Sequence, residues 1–97
     1  MAKLAIVATI KTLPGQRDAY LRHLKAHGAR CLANEPGTLR FDILVPQKEA
    51  DTLLLYEVYE NREAFQAHWN GPSMQLMKQD AGPLQESLTG IFCDLAE

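Results

Sequence analysis

The stretch that decides the fold is TLRFDILVPQKEADTLLLYEVYE, residues 38–60. Two apolar segments rich in β-branched and aromatic residues, 38–45 and 52–60, flank the polar loop 46–51, and this pattern predicts a β-hairpin. Apolar side chains occur on both faces of each segment. We therefore expect the hairpin to belong to a sheet with no strongly polar face.

The length of the loop predicts a register in which the residue numbers of two paired positions add up to about 97. This register places apolar side chains together on one face, as the pairs Leu39–Val58, Phe41–Tyr56 and Ile43–Leu54. It also sets Arg40 opposite Glu57. The other face then carries apolar residues beside charges, namely Leu44, Leu53, Leu55, Tyr59, Arg40, Asp42 and Glu57.

Outside the hairpin, the chain alternates between strand and helix patterns. Pro14-Gly15 separates a first strand from an amphipathic helix, and Asn61 is a favourable N-cap for a second helix. The predicted elements are strands at 4–10, 38–45, 52–60 and 88–95, and helices at 16–33 and 62–70 with a further turn or two at 73–80. The order β-α-β-β-α-β predicts an α+β fold of the ferredoxin-like type, with one antiparallel sheet and helices on one face.

The size of the chain predicts a single domain over residues 1–97. Its composition, 46% hydrophobic and 23% charged, is that of a globular protein. With both helices on one side, the apolar residues of the other sheet face would be exposed, which is unusual on a monomer. We therefore expect a second copy to cover this face and form a homodimer.

Charge and motif content exclude several classes of ligand. The formal net charge of -2 offers no basic surface for nucleic acid. Cys31 and Cys93 lie far apart without a Cys/His cluster, which predicts free thiols in a reducing compartment and no zinc site. No nucleotide-binding or metalloenzyme motif is present, so neither a cofactor nor a metal is expected. The apolar run near the start ends at Lys11, too short to span a membrane, and we interpret it as a strand of a cytoplasmic protein.

His68 is the main candidate for chemistry, since it lies on the apolar face of the second helix beside Trp69. A single histidine in such a place is commonly structural and held by a backbone hydrogen bond. Phe41 and Tyr56, predicted to share the sheet face below, could instead line an aromatic pocket for a small planar ligand. His27 lies near the apolar stripe of the first helix and is a further candidate for ligand contact. We expect the charges of the hairpin to form a solvated or interface ion network.

Several segments, taken in order, resemble the antibiotic biosynthesis monooxygenase family of small dimeric α+β barrel proteins. They are Pro14-Gly15, EPGTLRFDIL at 35–44, YEVY at 56–59, AFQAH at 64–68 and Gly71-Pro72. The resemblance implies a ferredoxin-like fold that pairs into a dimeric α/β barrel. It also implies one of several activities, because the family includes cofactor-independent oxygenases of quinols and anthrone-like polyketides, haem-degrading enzymes and an isomerase of phosphorylated autoinducer-2.

At some positions this chain differs from the family pattern, and these differences favour some of the activities over others. Haem-degrading members carry Asn, Trp and His at positions that fall here near Ala8, Tyr56 and Lys78, so the resemblance disfavours haem degradation. Many members carry a His-Phe pair after the proline, where this chain has Ser73-Met74. The segments LRFDIL at 39–44 and YEVY at 56–59 most resemble the isomerase branch, and similar segments occur in the quinol-oxidising branch.

Our leading hypothesis is a cofactor-independent monooxygenase of a small electron-rich aromatic, a quinol or polyphenol, with dioxygen as second substrate. His68 would remove a proton, since the usual pKa of imidazole lies near neutrality. Phe41, Tyr56 and Trp69 would hold the ring, and the Tyr56 hydroxyl would face the developing oxyanion. Two alternatives remain open. One is an isomerase of a phosphorylated hydroxyketone with Arg40 or His27 as the cation, and the other is a non-catalytic dimer that binds a small molecule.

Overall fold

The computed structural model describes residues 2–97. The elements in chain order are β1 (Leu4–Thr12), α1 (Arg17–Asn34), β2 (Thr38–Leu44), β3 (Thr52–Tyr59), α2 (Arg62–Trp69), α3 (Pro72–Ala81), a 3-10 turn (Gly82–Leu84) and β4 (Gln85–Asp94). The predicted order is confirmed. The turn or two expected after the second helix forms a separate helix, and the last strand begins three residues earlier than predicted, at Gln85, where a bulge pairs it with Thr12.

The four strands form one antiparallel sheet in the order β2-β3-β1-β4. The core lies between this sheet and the helices, and includes Ile10, Leu24, Leu53, Tyr59 and Met77. This arrangement confirms the α+β ferredoxin-like fold. In residues 2–97, no helix combines the length and apolar character needed to cross a membrane.

A bulge in β2 changes the predicted register of the hairpin. Beyond Leu39, the residue numbers of two paired positions add up to 98 rather than 97. Phe41 therefore pairs with Glu57, and Asp42 pairs with Tyr56. A slip of one residue moves every side chain of a strand to the other face relative to its neighbour. The predicted pairs Leu39–Val58, Phe41–Tyr56, Ile43–Leu54 and Arg40–Glu57 are therefore wrong.

The same slip exchanges the two faces of β3. Leu53, Leu55 and Tyr59, predicted to be open, lie under the helices with exposed fractions of 0%, 6% and 0%. The sheet does have an apolar uncovered face, as expected, and Leu44 belongs to it as predicted, but its other large apolar residues differ from the predicted ones. Val7, Leu44 and Ile91 are exposed there by 46%, 53% and 66%.

Local contacts fix how the helices meet the sheet. Asn61 caps α2 as predicted, because its side chain accepts a hydrogen bond of 2.8 Å from the Ala64 backbone N–H. Gly28 lets α1 approach β2 closely: a Cβ at this position would lie 2.6 Å from the ring of Phe41. A larger residue would push Phe41 away from α1.

Candidate functional site

A cavity of about 380 Å³ lies between the sheet and the helices. Two rows that run across the sheet contribute to its floor, Phe41–Glu57–Ile6–Phe92 and Leu55–Ala8–Gly90. Its walls come from the helices, chiefly through Leu24, His27, His68, Trp69, Met74 and Met77. An apolar cavity with a few polar groups is the usual form of a small-molecule site.

His68 brings a polar side chain to the wall of this cavity and is hydrogen-bonded to Glu35, the residue that caps the C-terminus of α1. The distance from His68 Nδ1 to Glu35 Oε1 is 2.9 Å, and His68 is only 3% exposed. A carboxylate can only accept a hydrogen bond, so Nδ1 carries the proton and donates it. In neutral His68, Nε2 is then the unprotonated nitrogen.

The two nitrogens of the His68 ring differ in their surroundings. The Nδ1 edge faces Glu35 and Cys31, and neither of these residues lines the cavity, whereas His68 does. The Nε2 edge is therefore the one available to a ligand. An imidazole held by a carboxylate, with its other nitrogen free, is the arrangement of a general base.

Glu35 is itself held in place from a second side. The Thr38 hydroxyl donates to Glu35 Oε1 over 2.7 Å. Burial alone would raise the pKa of Glu35, but the hydrogen bonds from Thr38 and His68 outweigh it and hold the pKa below its usual value. Glu35 is thus an ionised acceptor for His68 at neutral pH.

His27 also reaches the cavity, as the sequence suggested. It is 2% exposed, and its ring meets Phe41 edge to face at 5.5 Å and lies 5.4 Å from the His68 ring. Burial is the main cause that lowers the pKa of His27 to about 4. His27 is therefore neutral at physiological pH.

Behind these two imidazoles lies Cys31, which is fully buried. Its Sγ is 3.5 Å from His68 Nδ1 and 3.6 Å from His27 Nε2. Burial raises the pKa of Cys31 to about 12, so the free side chain is a thiol. The donor atoms of His27, Cys31 and His68 all lie within 4.8 Å of one another and are the described residues best placed to hold a metal ion.

Glu57 places a carboxyl group in the floor of the cavity, where the sequence predicted a tyrosine. It is buried, and the Tyr59 hydroxyl donates to Glu57 Oε1. Burial raises the pKa of Glu57 although the Tyr59 hydrogen bond opposes it. In its protonated form this carboxyl could donate a hydrogen bond to a ligand.

Aromatic side chains form the more exposed end of the cavity, between α2 and β4. Phe65 stacks on Trp69 at 6.0 Å and meets Phe92 edge to face at 5.0 Å. Trp69 remains 40% exposed, and Lys78 Nζ lies 4.8 Å above its ring. Trp69 therefore lies at the entrance rather than above the buried histidines.

Tyr56 and Arg40 lie outside the site. The bulge at Leu39 places Tyr56 on the uncovered face, where the Arg40 guanidinium lies 5.6 Å from the centre of its ring. Arg40 is paired with Asp42 on the same strand. The expectation that Tyr56 shares a pocket with Phe41 is wrong, and so is the placement of Glu57 beside Arg40.

Of the predicted site residues, the structure brings together His68, His27 and Phe41, with Trp69 at the entrance. Sequence reasoning missed Cys31 and Glu35 as neighbours of His68. His27 and Cys31 are four residues apart on α1 and share one helix face, and Glu35 follows four residues later as the C-cap, so this spacing could have revealed them.

Comparison with known proteins supports the fold and assigns the chain to a protein family. The model of the family described as antibiotic biosynthesis monooxygenase matches residues 4–80. Two solved structures are similar over nearly the whole chain. A Caulobacter crescentus protein provisionally named an antibiotic biosynthesis monooxygenase has a TM-score of 0.92 at 22% identity, covering 99% of this chain and 92% of that one. A Pseudomonas aeruginosa protein has a TM-score of 0.89 at 21% identity, covering 100% and 97%.

One curated relative with a named activity matches only part of the chain. Heme oxygenase (mycobilin-producing) of Mycobacterium tuberculosis is 41% identical over 49 residues, which cover 50% of this chain and 47% of the relative. The chain therefore spans about half the length of the curated relatives it matches.

Proposed function

Because the chain belongs to the antibiotic biosynthesis monooxygenase family, we propose that it is a cofactor-independent monooxygenase of a small electron-rich aromatic, a quinol or polyphenol. The observation that carries this proposal is the Glu35–His68 pair, which presents an imidazole nitrogen to an apolar cavity. A cavity of about 380 Å³ suits a compact ring system, since small-molecule sites measure roughly 300–1,000 Å³.

The first step of the proposed reaction is removal of a phenolic proton by His68 Nε2. Glu35 holds the ring through Nδ1 and stabilises the imidazolium that forms, as a carboxylate does for a catalytic histidine. Phe41 and Trp69 contact the faces or edges of the bound ring. The apolar surroundings exclude water, so the resulting phenolate is poorly solvated and a stronger electron donor.

Glu57 replaces Tyr56 as the hydrogen-bond donor that we assign to substrate oxygen. Its carboxyl lies in the cavity floor, one strand away from Phe41, and burial favours its protonated form. A neutral carboxyl that donates to an oxyanion stabilises negative charge in a site with little water. Glu57 would thus hold the substrate oxygen while His68 takes the proton.

Electron balance allows this reaction without a redox cofactor. The phenolate transfers electrons to dioxygen, one oxygen atom forms a bond to ring carbon, and the other leaves as water. A quinol that becomes a hydroxyquinone supplies all four electrons, so no external reductant is consumed. The test is reaction of the metal-free protein under ¹⁸O₂: a monooxygenase places one labelled oxygen in the product, whereas autoxidation to the simple quinone places none.

Haem degradation is the second candidate, favoured by the partial identity with the mycobacterial heme oxygenase. A tetrapyrrole is larger than a quinol, and the cavity lies near the lower limit for small-molecule sites. Addition of haem to the purified protein separates the two proposals. A saturable shift of the haem absorption band, followed by loss of that band with a reductant and dioxygen, would favour haem as substrate.

The isomerase alternative has little support, because it needs a cation beside the cavity for an anionic substrate. Arg40 lies on the uncovered face and is paired with Asp42. His27 lines the cavity, but burial keeps it neutral. A binding module without catalysis would use the same cavity, and oxygen uptake distinguishes it from a monooxygenase.

We also propose that the protein works as a homodimer through the uncovered sheet face. Val7 lies between Tyr56 and Ile91 in one row across three strands, and Leu44 extends the apolar area at the edge. Burial of such a face would stabilise a dimer at about 25 cal/mol per Å² of apolar surface removed from water. The helices lie on the opposite side, so the cavity would remain accessible.

A further inference from the structure

We infer that His27, Cys31 and His68 form a binding site for a thiophilic metal ion of the zinc(II) class. Two imidazoles and one thiol meet behind the cavity wall, where their donor atoms all lie within 4.8 Å of one another. This inference does not depend on the proposed oxygenase activity.

The spacing of the donor atoms is that of a tetrahedral site. Zinc bonds of about 2.3 Å to sulfur and 2.0–2.1 Å to nitrogen, at tetrahedral angles, separate a sulfur from a nitrogen ligand by about 3.6 Å. The observed distances from Cys31 Sγ are 3.6 Å to His27 Nε2 and 3.5 Å to His68 Nδ1. Cys31 Sγ is also 3.7 Å from His27 Nδ1, so the His27 ring must turn to direct one nitrogen at the ion. With that rotation, a metal ion could bind.

The positions of the ligands on the helices support a preformed site. His27 and Cys31 are separated by one turn of α1 and thus project from the same helix face. His68 comes from α2, so the ion would join two helices. The three residues are 2%, 0% and 3% exposed, respectively, and packing holds them together without a metal.

The donor set selects the kind of ion. Thiolate and imidazole favour zinc(II) and copper(I), whereas calcium and magnesium require oxygen ligands. Binding displaces the proton of the Cys31 thiol, which passes to solvent, and converts the sulfur to thiolate. The negative charge of the thiolate partly compensates the charge of a divalent ion, and the two neutral imidazoles supply lone pairs.

Glu35 connects this site to the proposed base, because it accepts the hydrogen bond from His68 Nδ1. A metal on Nδ1 replaces the proton that His68 donates to Glu35, and in neutral His68 that proton moves to Nε2. The Glu35 carboxylate, 2.9 Å from Nδ1, then no longer receives that proton. Metal binding would thus block the Nε2 position that the proposed reaction uses as a base.

The experiment is a titration of the reduced full chain with cobalt(II), a spectroscopic substitute for zinc. It is performed on folded protein and on protein refolded with the ion, so that slow entry is not mistaken for absence of a site. We expect a thiolate-to-cobalt charge-transfer band in the near ultraviolet and strong visible bands of tetrahedral cobalt, at one equivalent per chain. Addition of zinc(II) should displace cobalt(II) and so remove the charge-transfer band and the visible bands.

Matched variants assign the ligands. Cys31→Ser should lose the charge-transfer band, and His27→Gln should change the visible bands and weaken binding. Cys93→Ser removes the other cysteine of the chain and His23→Gln removes the other histidine of α1, and both should behave as the parent. The inference is overturned if no band forms in either preparation, or if the band persists in Cys31→Ser, or if it depends on Cys93.

Discussion

The Nδ1–H of His68 donates to the carboxylate of Glu35 over 2.9 Å, and this contact joins the second helix to the end of the first. It connects residues 33 positions apart and fixes the tautomer of a histidine that lines the cavity. Removal of Glu35 would leave His68 buried without this polar contact, whereas removal of His68 would leave Glu35 with its hydrogen bond from Thr38. The proposed chemistry depends on this pair.

Glu35→Gln should lower kcat by about 10-fold to 100-fold while KM changes little. The amide can still accept from His68, but it no longer carries the charge that stabilises imidazolium. Steady-state oxygen uptake measures the effect, and Glu63→Gln on the exposed side of α2 is the control. An unchanged kcat in Glu35→Gln would show that the carboxylate has no part in proton transfer.

Phe41→Leu should raise KM by about tenfold, because the aromatic ring in the cavity contacts the substrate. Tyr56→Phe should leave both kcat and KM unchanged, since Tyr56 lies on the opposite face of the sheet. The comparison is made with the same substrate and with circular dichroism as a check of folding. A loss of kcat in Tyr56→Phe alone would contradict the observed register.

Glu57→Gln should stabilise the protein at neutral pH while it lowers activity. Burial raises the pKa of Glu57 above its unfolded value, so its contribution to stability is full below about pH 4 and is lost as pH rises through the folded pKa. The amide cannot ionise and avoids this loss. Urea unfolding at pH 4 and pH 7 should show an advantage of the variant at pH 7 only. An equal advantage at both pH values would exclude ionisation as its cause.

Ile91→Glu should shift the protein from dimer to monomer in sedimentation velocity. Ile91 is the most exposed large apolar residue of the uncovered sheet face, at 66%, and a charge there would be buried in the proposed interface. Leu32→Glu is the control, because Leu32 is 47% exposed on α1, on the helical layer. Equal effects of the two substitutions would contradict an interface through the sheet.

The element order followed from local patterns, because periodicity, Asn61 and the proline-glycine pairs are local features. His68 and His27 could be placed for the same reason: helix geometry alone determines which residues share their faces. The prediction of the family from short motifs was confirmed by the match over residues 4–80.

The contents of the cavity floor could not be predicted in the same way. One extra residue at Leu39 decides whether Tyr56 or Glu57 faces the helices, and the alternating pattern of the strands tolerates both registers. In the folded chain, the observed register brings the Phe41 ring against Gly28 of α1, a contact between segments that local sequence patterns do not show. The pairing of Glu35 with His68 joins distant segments and likewise requires the folded chain.

The proposed role of His68 as the base of an oxygenase is tested most directly by oxygen consumption. The metal-free protein is presented with a panel of quinols and anthrone-like phenols, and its rate is compared with the rates of His68→Gln and His23→Gln. We expect uptake in the parent and in His23→Gln, and a decrease of about 10²-fold to 10⁴-fold in His68→Gln with the fold intact. Uptake at the parent rate in His68→Gln, or no uptake across the panel by correctly folded protein, would contradict the proposal that His68 is the base of an oxygenase.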